Sequence, residues 1–475
     1  SPPEPTRMST SPTATDPAFL TARELLAAFR ARTLSPVEAL EAVLARLAAD
    51  NPALNGFHLV DAEMGRRMAK ASEARWMKDA PTGALDGVPV PIKDTNAAKG
   101  WPFRIGSLTT SPDPVDYDGP PVARLREAGA VFFGKTTTPE FGWKGVTDSP
   151  LTGITRNPWD PSKTPGGSSG GAVVAVACGM GPIALGGDGG GSIRMPCGFT
   201  GVYGIKPTSG RVPNLPAASV GTMTTPGPIA RNVGDAALML GVLGRADWRD
   251  PTALPPQDAN FLAGLDESIA GLRIGFSATL GYASVEPEVA ATVAAAVQVF
   301  TAHGAIVEEA HPGFGDPRWA LDTIWRVGYA TMLRNLGPEQ HAQLDPDLAE
   351  VVESGRAISA VDYHHAFNER VRLGEAMQRF HRKYDLLVTP ALPLTAFAAG
   401  ALVPDRGKYP EWWDWSPFTW PFNMTRQPAA VCPCGFSRAR LPIGVQIVGP
   451  LYRDDLVLRT SRAFEMARPF KMPRG

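Results

Sequence analysis

Apolar residues recur at helical spacing along the first part of the chain. Leu25, Leu26 and Phe29 follow Thr21, a good N-cap residue. Ser35-Pro36-Val37-Glu38 has the form of a capping box with proline at the first helical position. Behind it Leu40, Val43, Leu44 and Leu47 fall on one helical face. A third helix is predicted over 62–78. The texture changes at Val88-Pro89-Val90-Pro91-Ile92, because a residue before proline is pushed out of the helical region. From there helix and strand patterns alternate. Helices are predicted over 121–128 and 170–178, and strands over 130–133 and 182–185. The stretch 255–380 reads as mostly helical, with a strand at 272–276. Strands at 384–389 and 443–448 precede a closing helix at 454–466. Such alternation predicts an α/β architecture. With no internal repeat and no linker, one large domain with a helical insertion at about 255–380 is expected. The segment 1–17 is expected to be a flexible N-terminus, residues 1–7 preceding Met8 as added sequence.

Composition narrows the function. Of 475 residues, 44% are apolar and 20% charged, which is ordinary globular material. The 46 basic and 47 acidic residues leave a net charge of −1. Nucleic acid and anionic lipid are therefore poor partners. The four cysteines, Cys178, Cys197, Cys432 and Cys434, make no disulfide framework. Cys432 and Cys434 are one residue too close for a C-x-x-C motif, so no metal site is expected. Reduced thiols and a cytoplasmic location are the plain expectation. The longest apolar run, 172–185, is interrupted by Gly179, Gly181 and Pro182, so no membrane span is expected.

The densest signal is glycine and serine. Thr164-Pro165-Gly166-Gly167-Ser168-Ser169-Gly170-Gly171 is followed by Gly186-Gly187-Asp188-Gly189-Gly190-Gly191-Ser192-Ile193-Arg194. Such loops let backbone approach closely or take positive φ. A pair of loops without chemistry would look the same. A phosphate loop would need Gly-Lys-Ser/Thr, which is missing here. Gly179 to Ala184 loosely matches a dinucleotide fingerprint, but it follows a helix and contains Pro182. Gly166-Gly167-Ser168-Ser169-Gly170 matches the G-x-S-x-G nucleophile elbow formally. That α/β-hydrolase reading makes Ser168 the nucleophile. It needs a preceding strand, where three prolines stand between Pro158 and Pro165. It also needs a histidine, and His303, His311, His341, His364, His365 and His381 sit in no motif.

The chain resembles the amidase signature family of Ser–Ser–Lys hydrolases. The resemblance rests on Gly87-Val88-Pro89-Val90-Pro91-Ile92-Lys93-Asp94, Glu140-Phe141-Gly142, the Gly166 to Gly171 run, Gly190-Gly191-Ser192-Ile193-Arg194, Gly204-Ile205-Lys206-Pro207-Thr208 and Leu441-Pro442-Ile443-Gly444-Val445-Gln446. It implies a single amidase domain over 18–475, with its signature core at about 85–235. Its fold would be a central mixed, twisted sheet covered by helices on both faces. It implies Lys93 as catalytic base, Ser168 as bridging serine after a cis peptide, and Ser192 as nucleophile. The N–H groups of Gly189, Gly190, Gly191 and Ser192 would form the oxyanion hole. A serine hydroxyl needs a base, and lysine serves only when neutral. Its ordinary pKa is about 10.4. Burial lowers that value by disfavouring the ammonium, and Lys93 follows an apolar run. Asp188 and Arg194 are expected to support the nucleophile loop, and Asp94 to orient backbone. No cofactor is implied.

Pocket candidates are Phe141, Gly142 and Trp143, on the side that the family gives to the acyl group. Arg426 joins them, standing where the family usually has glycine. The loop 211–225 is expected near the entrance. Four tryptophans between Tyr409 and Phe422 either line a pocket or pack a flank. The expected activity is hydrolysis of small or medium, apolar or aromatic amides, with carbamate (urethane) and ester hydrolysis alongside. The expected partner is a small-molecule amide or carbamate, and the expected state a monomer or homodimer. The alternative is the glutaminase component of a tRNA-dependent amidotransferase, which shares the fold.

Overall fold

Local capping chemistry starts the chain. Thr21 with Glu24 and Ser35 with Glu38 close capping boxes on helices Ala22–Ala31 and Pro36–Leu54. The second buries the predicted stripe of Leu40, Val43, Leu44 and Leu47. The computed structural model describes residues 16–215, 218–256 and 260–473. All but Asp16 and Pro17 of the expected flexible N-terminus therefore lies outside the described residues.

Among the described residues thirteen strands follow in chain order: β1 Phe57–Val60, β2 Ile92–Lys93, β3 Gly134–Thr136, β4 Asp148–Ser149, β5 Gly153–Ile154, β6 Ile183–Asp188, β7 Tyr203–Lys206, β8 Thr225–Ala230, β9 Arg273–Phe276, β10 Ile306–Glu309, β11 Leu386–Pro390, β12 Ala429–Phe436 and β13 Pro442–Val448. β4 and β5 pair only with each other. The other eleven form one sheet, ordered β1-β3-β2-β6-β8-β7-β12-β13-β11-β9-β10. Pairing is parallel across β3-β2-β6 and across β11-β9-β10, and antiparallel elsewhere. This is the mixed α/β sheet expected.

Side-chain alternation assigns the two faces. Ile183 and Leu185 of β6, with Ala430 and Cys432 of β12, join the cluster of helices Val233–Leu243, Pro287–Ala302 and Asp454–Ala467. Ala184 and Val431 point the other way, onto helices Gly170–Ala177 and Arg194–Thr200. Helix Gly170–Ala177 is buried on all sides, so it reads as a continuous apolar run rather than a stripe. Among the described residues no helix is long and apolar enough to cross a membrane.

Several elements differ from the sequence pattern. The strand expected at 130–133 gives only one bridge, Val131 with Pro89, and the ladder begins at Gly134. Pro89 and Pro91 have no N–H to extend it. β8 carries Pro226 and Pro228, which hide its strand character. β1, β7, β10 and β12 also escaped the pattern. The helix-rich stretch 255–380 supplies β9 and β10 to the sheet edge besides its helices. Trp412, Trp413, Trp415 and Trp420 are buried together in a second core and do not line the cavity that holds Lys93, Ser168 and Ser192. They pack a flank.

Close approach behind the serine run requires glycine. A Cβ on Gly171 would lie 2.3 Å from the Gly56 carbonyl oxygen and 2.4 Å from the Thr137 nitrogen. Both contacts are backbone and neither can rotate away. Gly171→Ala is expected to destabilise the fold by at least about 2 kcal/mol, read as a lowered denaturation midpoint at unchanged m-value.

Candidate active site

Lys93 ends β2, which lies between β3 and β6. Val88, Val90 and Ile92 before it are fully buried and pull the lysine inward. Lys93 is only 2% exposed. Its Nζ lies 2.7 Å from Ser168 Oγ, 2.9 Å from Ser169 Oγ and 3.2 Å from the Gly187 carbonyl oxygen. None of these partners is charged. Burial therefore pulls the amine down to about 7, against a weaker opposing pull from Asp188.

Ser168 follows a cis peptide bond after Gly167. Ser169 starts helix Gly170–Ala177, and its N–H donates to the Ser192 carbonyl at 3.1 Å. Its hydroxyl also donates to Gly187 O at 3.1 Å. The second serine of the run thus ties the lysine, the bridge and the nucleophile loop together. Sequence reasoning gave it no role, although it stands next to Ser168 in the motif.

The loop that bears Ser192 is organised by one carboxylate. Asp188 Oδ1 accepts from Gly191 N at 2.7 Å, and Oδ2 accepts from Ile193 N at 3.1 Å. Arg194 donates Nε to Oδ2 and Nη2 to Oδ1, both at 3.0 Å. Asn423 Nδ2 adds a bond to Oδ1 at 2.8 Å. Burial pushes the Asp188 carboxyl up, but Arg194 and Asn423 outweigh it and hold it well below the usual range. Arg194 also donates to the Thr419 carbonyl and to Gln446 Oε1. Asp188 and Arg194 thus hydrogen-bond to each other and to the loop that bears Ser192.

Gly191 corrects one expectation. Its N–H is engaged by Asp188, so it is not free to face an oxyanion. Its φ of 126° and a Cβ position 2.3 Å from Thr419 Oγ1 make glycine obligatory for shape instead. No acceptor among the described residues takes the N–H of Gly189, Gly190 or Ser192.

Lys93, Ser168 and Ser192 open onto one cavity. Phe141 and Gly142 line it, as do Asn214, Ala218, Ser219, Val220 and Thr224 from the expected entrance loop. Trp143 and Arg426 do not. Phe141 and Gly142 both take positive φ, and the turned chain sends Trp143 into the aromatic core. Arg426 follows the short helix Pro421–Met424 with a φ of 67°. That left-handed position after a helix is where glycine is favoured. Arg426 takes up that backbone shape itself and does not line the cavity. None of the histidines lines the cavity, which leaves Ser168 without the partner that an α/β-hydrolase needs.

The family model for amidases matches residues 38–458. The chain belongs to the amidase family. It is 37% identical to an acylamidase of Rhodococcus erythropolis over 95% of this chain and 96% of that one. It is 32% identical to the A-type component of a glutamyl-tRNA(Gln) amidotransferase of Chloroflexus aurantiacus, over 94% of this chain and 96% of that one. Among solved structures, a bacterial aryl acylamidase of the amidase signature family superposes with a TM-score of 0.89 at 28% identity, covering 95% of this chain and 96% of that one. A 6-aminohexanoate cyclic dimer hydrolase gives 0.88 at 29% identity, covering 96% and 99%. The chain is thus an amidase signature hydrolase.

In this amidase the Asp188–Arg194 pair is fully buried. Removing one partner strands a charge inside the protein. Asp188→Ala is expected to cost about 3–5 kcal/mol of stability, visible as a lowered melting temperature, and to release the loop bearing Ser192.

Proposed function

We propose that this amidase hydrolyses amide C–N bonds in small to medium, uncharged, apolar or aromatic substrates, through an acyl-enzyme on Ser192. The observation that carries this reading is the Lys93 amine, buried among neutral partners and 2.7 Å from Ser168 Oγ, in the cavity that also holds Ser192. Ser192 Oγ attacks the carbonyl carbon. Its proton passes to Ser168, whose own proton passes to the Lys93 lone pair. The unpartnered N–H groups of Gly189, Gly190 and Ser192 stabilise the developing oxyanion. Collapse breaks the C–N bond, and the proton returns by way of Ser168 to the leaving amine. Water then attacks the Ser192 ester, with the same relay acting as base, and releases the acid. Carbamates present the same carbonyl carbon, and esters an easier leaving group, so both are expected as accompanying substrates.

The amidotransferase-type glutaminase reading is weaker. Glutamine brings an α-ammonium and an α-carboxylate to the site. Lys93 and Asp188 are the only lysine, arginine, aspartate or glutamate side chains among the described cavity-lining residues. Both Asp188 oxygens are already engaged by Arg194 and the loop. That favours a substrate without charges of its own. A panel of anilides, primary amides, carbamates, esters and L-glutamine tests the choice. Turnover of neutral anilides is expected, and turnover of glutamine alone would overturn it.

Ser192→Ala is expected to lower kcat by at least about 10⁴-fold, with loss of the acyl adduct in intact-protein mass spectrometry. Lys93→Met is expected to be similarly inactive on amides while folding normally.

The base works only when Lys93 is neutral. Its folded-state value, about 7, lies below the unfolded one. kcat/KM for amides should therefore fall as pH drops through about 7. The unfolded chain holds this proton more tightly, so the same residue makes stability rise with pH above that point. The rate dependence is read from the pH–rate profile of the unaltered enzyme. Lys93→Met should reduce, but not abolish, the rise in stability above about pH 7, because buried Lys206 is shifted in the same direction, and pH-dependent denaturation measures this.

A further inference from the structure

Helix Arg318–Met332 lies outside the signature core, yet three of its residues line the catalytic cavity: Trp325, Tyr329 and Met332. Spacings of four and three put them on one helical face. They grade outward. Trp325 and Tyr329 are each 2% exposed, and Met332 is 37% exposed. The Trp325 ring is at the nucleophile loop, 3.4 Å from where a Cβ on Gly190 would lie. Met332, seven positions along, stands about 10 Å further at the mouth.

The wall is fixed and dry. Trp325 Nε1 donates to the Trp143 carbonyl at 3.1 Å, and Tyr329 OH donates to the Phe141 carbonyl at 3.1 Å. The two rings also pack on each other, with centroids 5.4 Å apart. Both polar groups are engaged by protein, so apolar surface is what remains for a ligand.

Resting on the hydrolase reading above, we infer that Trp325, Tyr329 and Met332 form a selectivity stripe holding one extended, uncharged, apolar arm of the substrate, from the reacting carbonyl out to the mouth. The shared chemistry is an alkyl or aryl-alkyl chain, on the acyl side or on the amine side of the amide bond. The stripe sets the length of arm that gains from binding. An arm shorter than the stripe leaves part of it wet, and an arm longer than the stripe projects into solvent.

Two substrate series separate the sides. One is anilides with acyl arms from acetyl to decanoyl, and the other is acetamides of amines of matching lengths. In one series kcat/KM is expected to rise roughly two- to fourfold per methylene and to level off once the arm reaches Met332. Met332→Glu places a charge beside the arm's end, at an exposed position that does not threaten folding. It is expected to lower the ratio of long-arm to short-arm kcat/KM by about tenfold, while Met332→Leu keeps the ratio. Flat dependence on length in both series, or an unchanged ratio in Met332→Glu, overturns the stripe. If acetanilide is turned over while the ratios stay flat, only the stripe fails. If no anilide is turned over at all, the hydrolase reading fails with it.

Discussion

Everything in the site depends on a lysine amine that is buried without a carboxylate in contact. Three buried lysines of this chain make the contrast. Lys144 is held between Asp148 and Asp345, and despite its burial their charges keep it above the ordinary lysine value. Lys93 has only two hydroxyls and a carbonyl, and falls to about 7. Lys206 is also pulled to about 7 by burial, but its Nζ donates to the Pro207 carbonyl and does not line the cavity. A depressed value alone thus makes no base. What distinguishes Lys93 is a hydroxyl in contact and a cavity beyond it.

The absence of a carboxylate at Lys93 is arranged, since Asp188 lies close enough to act on it electrostatically. Arg194 takes up that negative charge, and the loop N–H groups and Asn423 complete its bonding. The Asp188 charge opposes the depression of Lys93 but burial outweighs it. The buried pair also shapes the loop: Gly191 gives its N–H to Asp188, while no acceptor among the described residues takes those of Gly189, Gly190 and Ser192. The loop's glycines are divided in the same way between shape and chemistry.

The candidate site was legible in the sequence because its residues lie in short runs of unusual composition. Lys93 after Val88-Pro89-Val90-Pro91-Ile92, and two serines among glycines, are local signals. The structure brings those three residues to one cavity. What stayed hidden depends on contacts between distant segments. Asn423, Thr419 and Gln446 converge on Arg194 from far along the chain, and nothing in their own neighbourhoods announces it. Strand β8 hid behind its prolines. Trp143 and Arg426 were misplaced for a related reason. Each follows or occupies a residue with positive φ, and the turn that redirects it has no sequence period.

The topology explains how one chain joins fixed chemistry to adjustable selectivity. β2 and β6 are parallel neighbours, so Lys93 and Gly187-Asp188 end on the same edge of the sheet. The crevice beyond the carboxyl ends of parallel strands is the general place for a site in such sheets. Helix Gly170–Ala177 starts at that edge, with Ser168 and Ser169 at its N-terminus, and carries the chain back to the beginning of β6. The base, bridge and nucleophile loop are thus set by three short segments of a buried core, where a single methyl group can collide with backbone. Helix Arg318–Met332 comes from the stretch between β10 and β11 and touches this machinery mainly through side chains. Trp325 and Tyr329 are as buried as the residues they face and are held by backbone carbonyls, so changing their size would disturb the same core. Only Met332, exposed at the outer end of the helix, stands where substitution is structurally cheap.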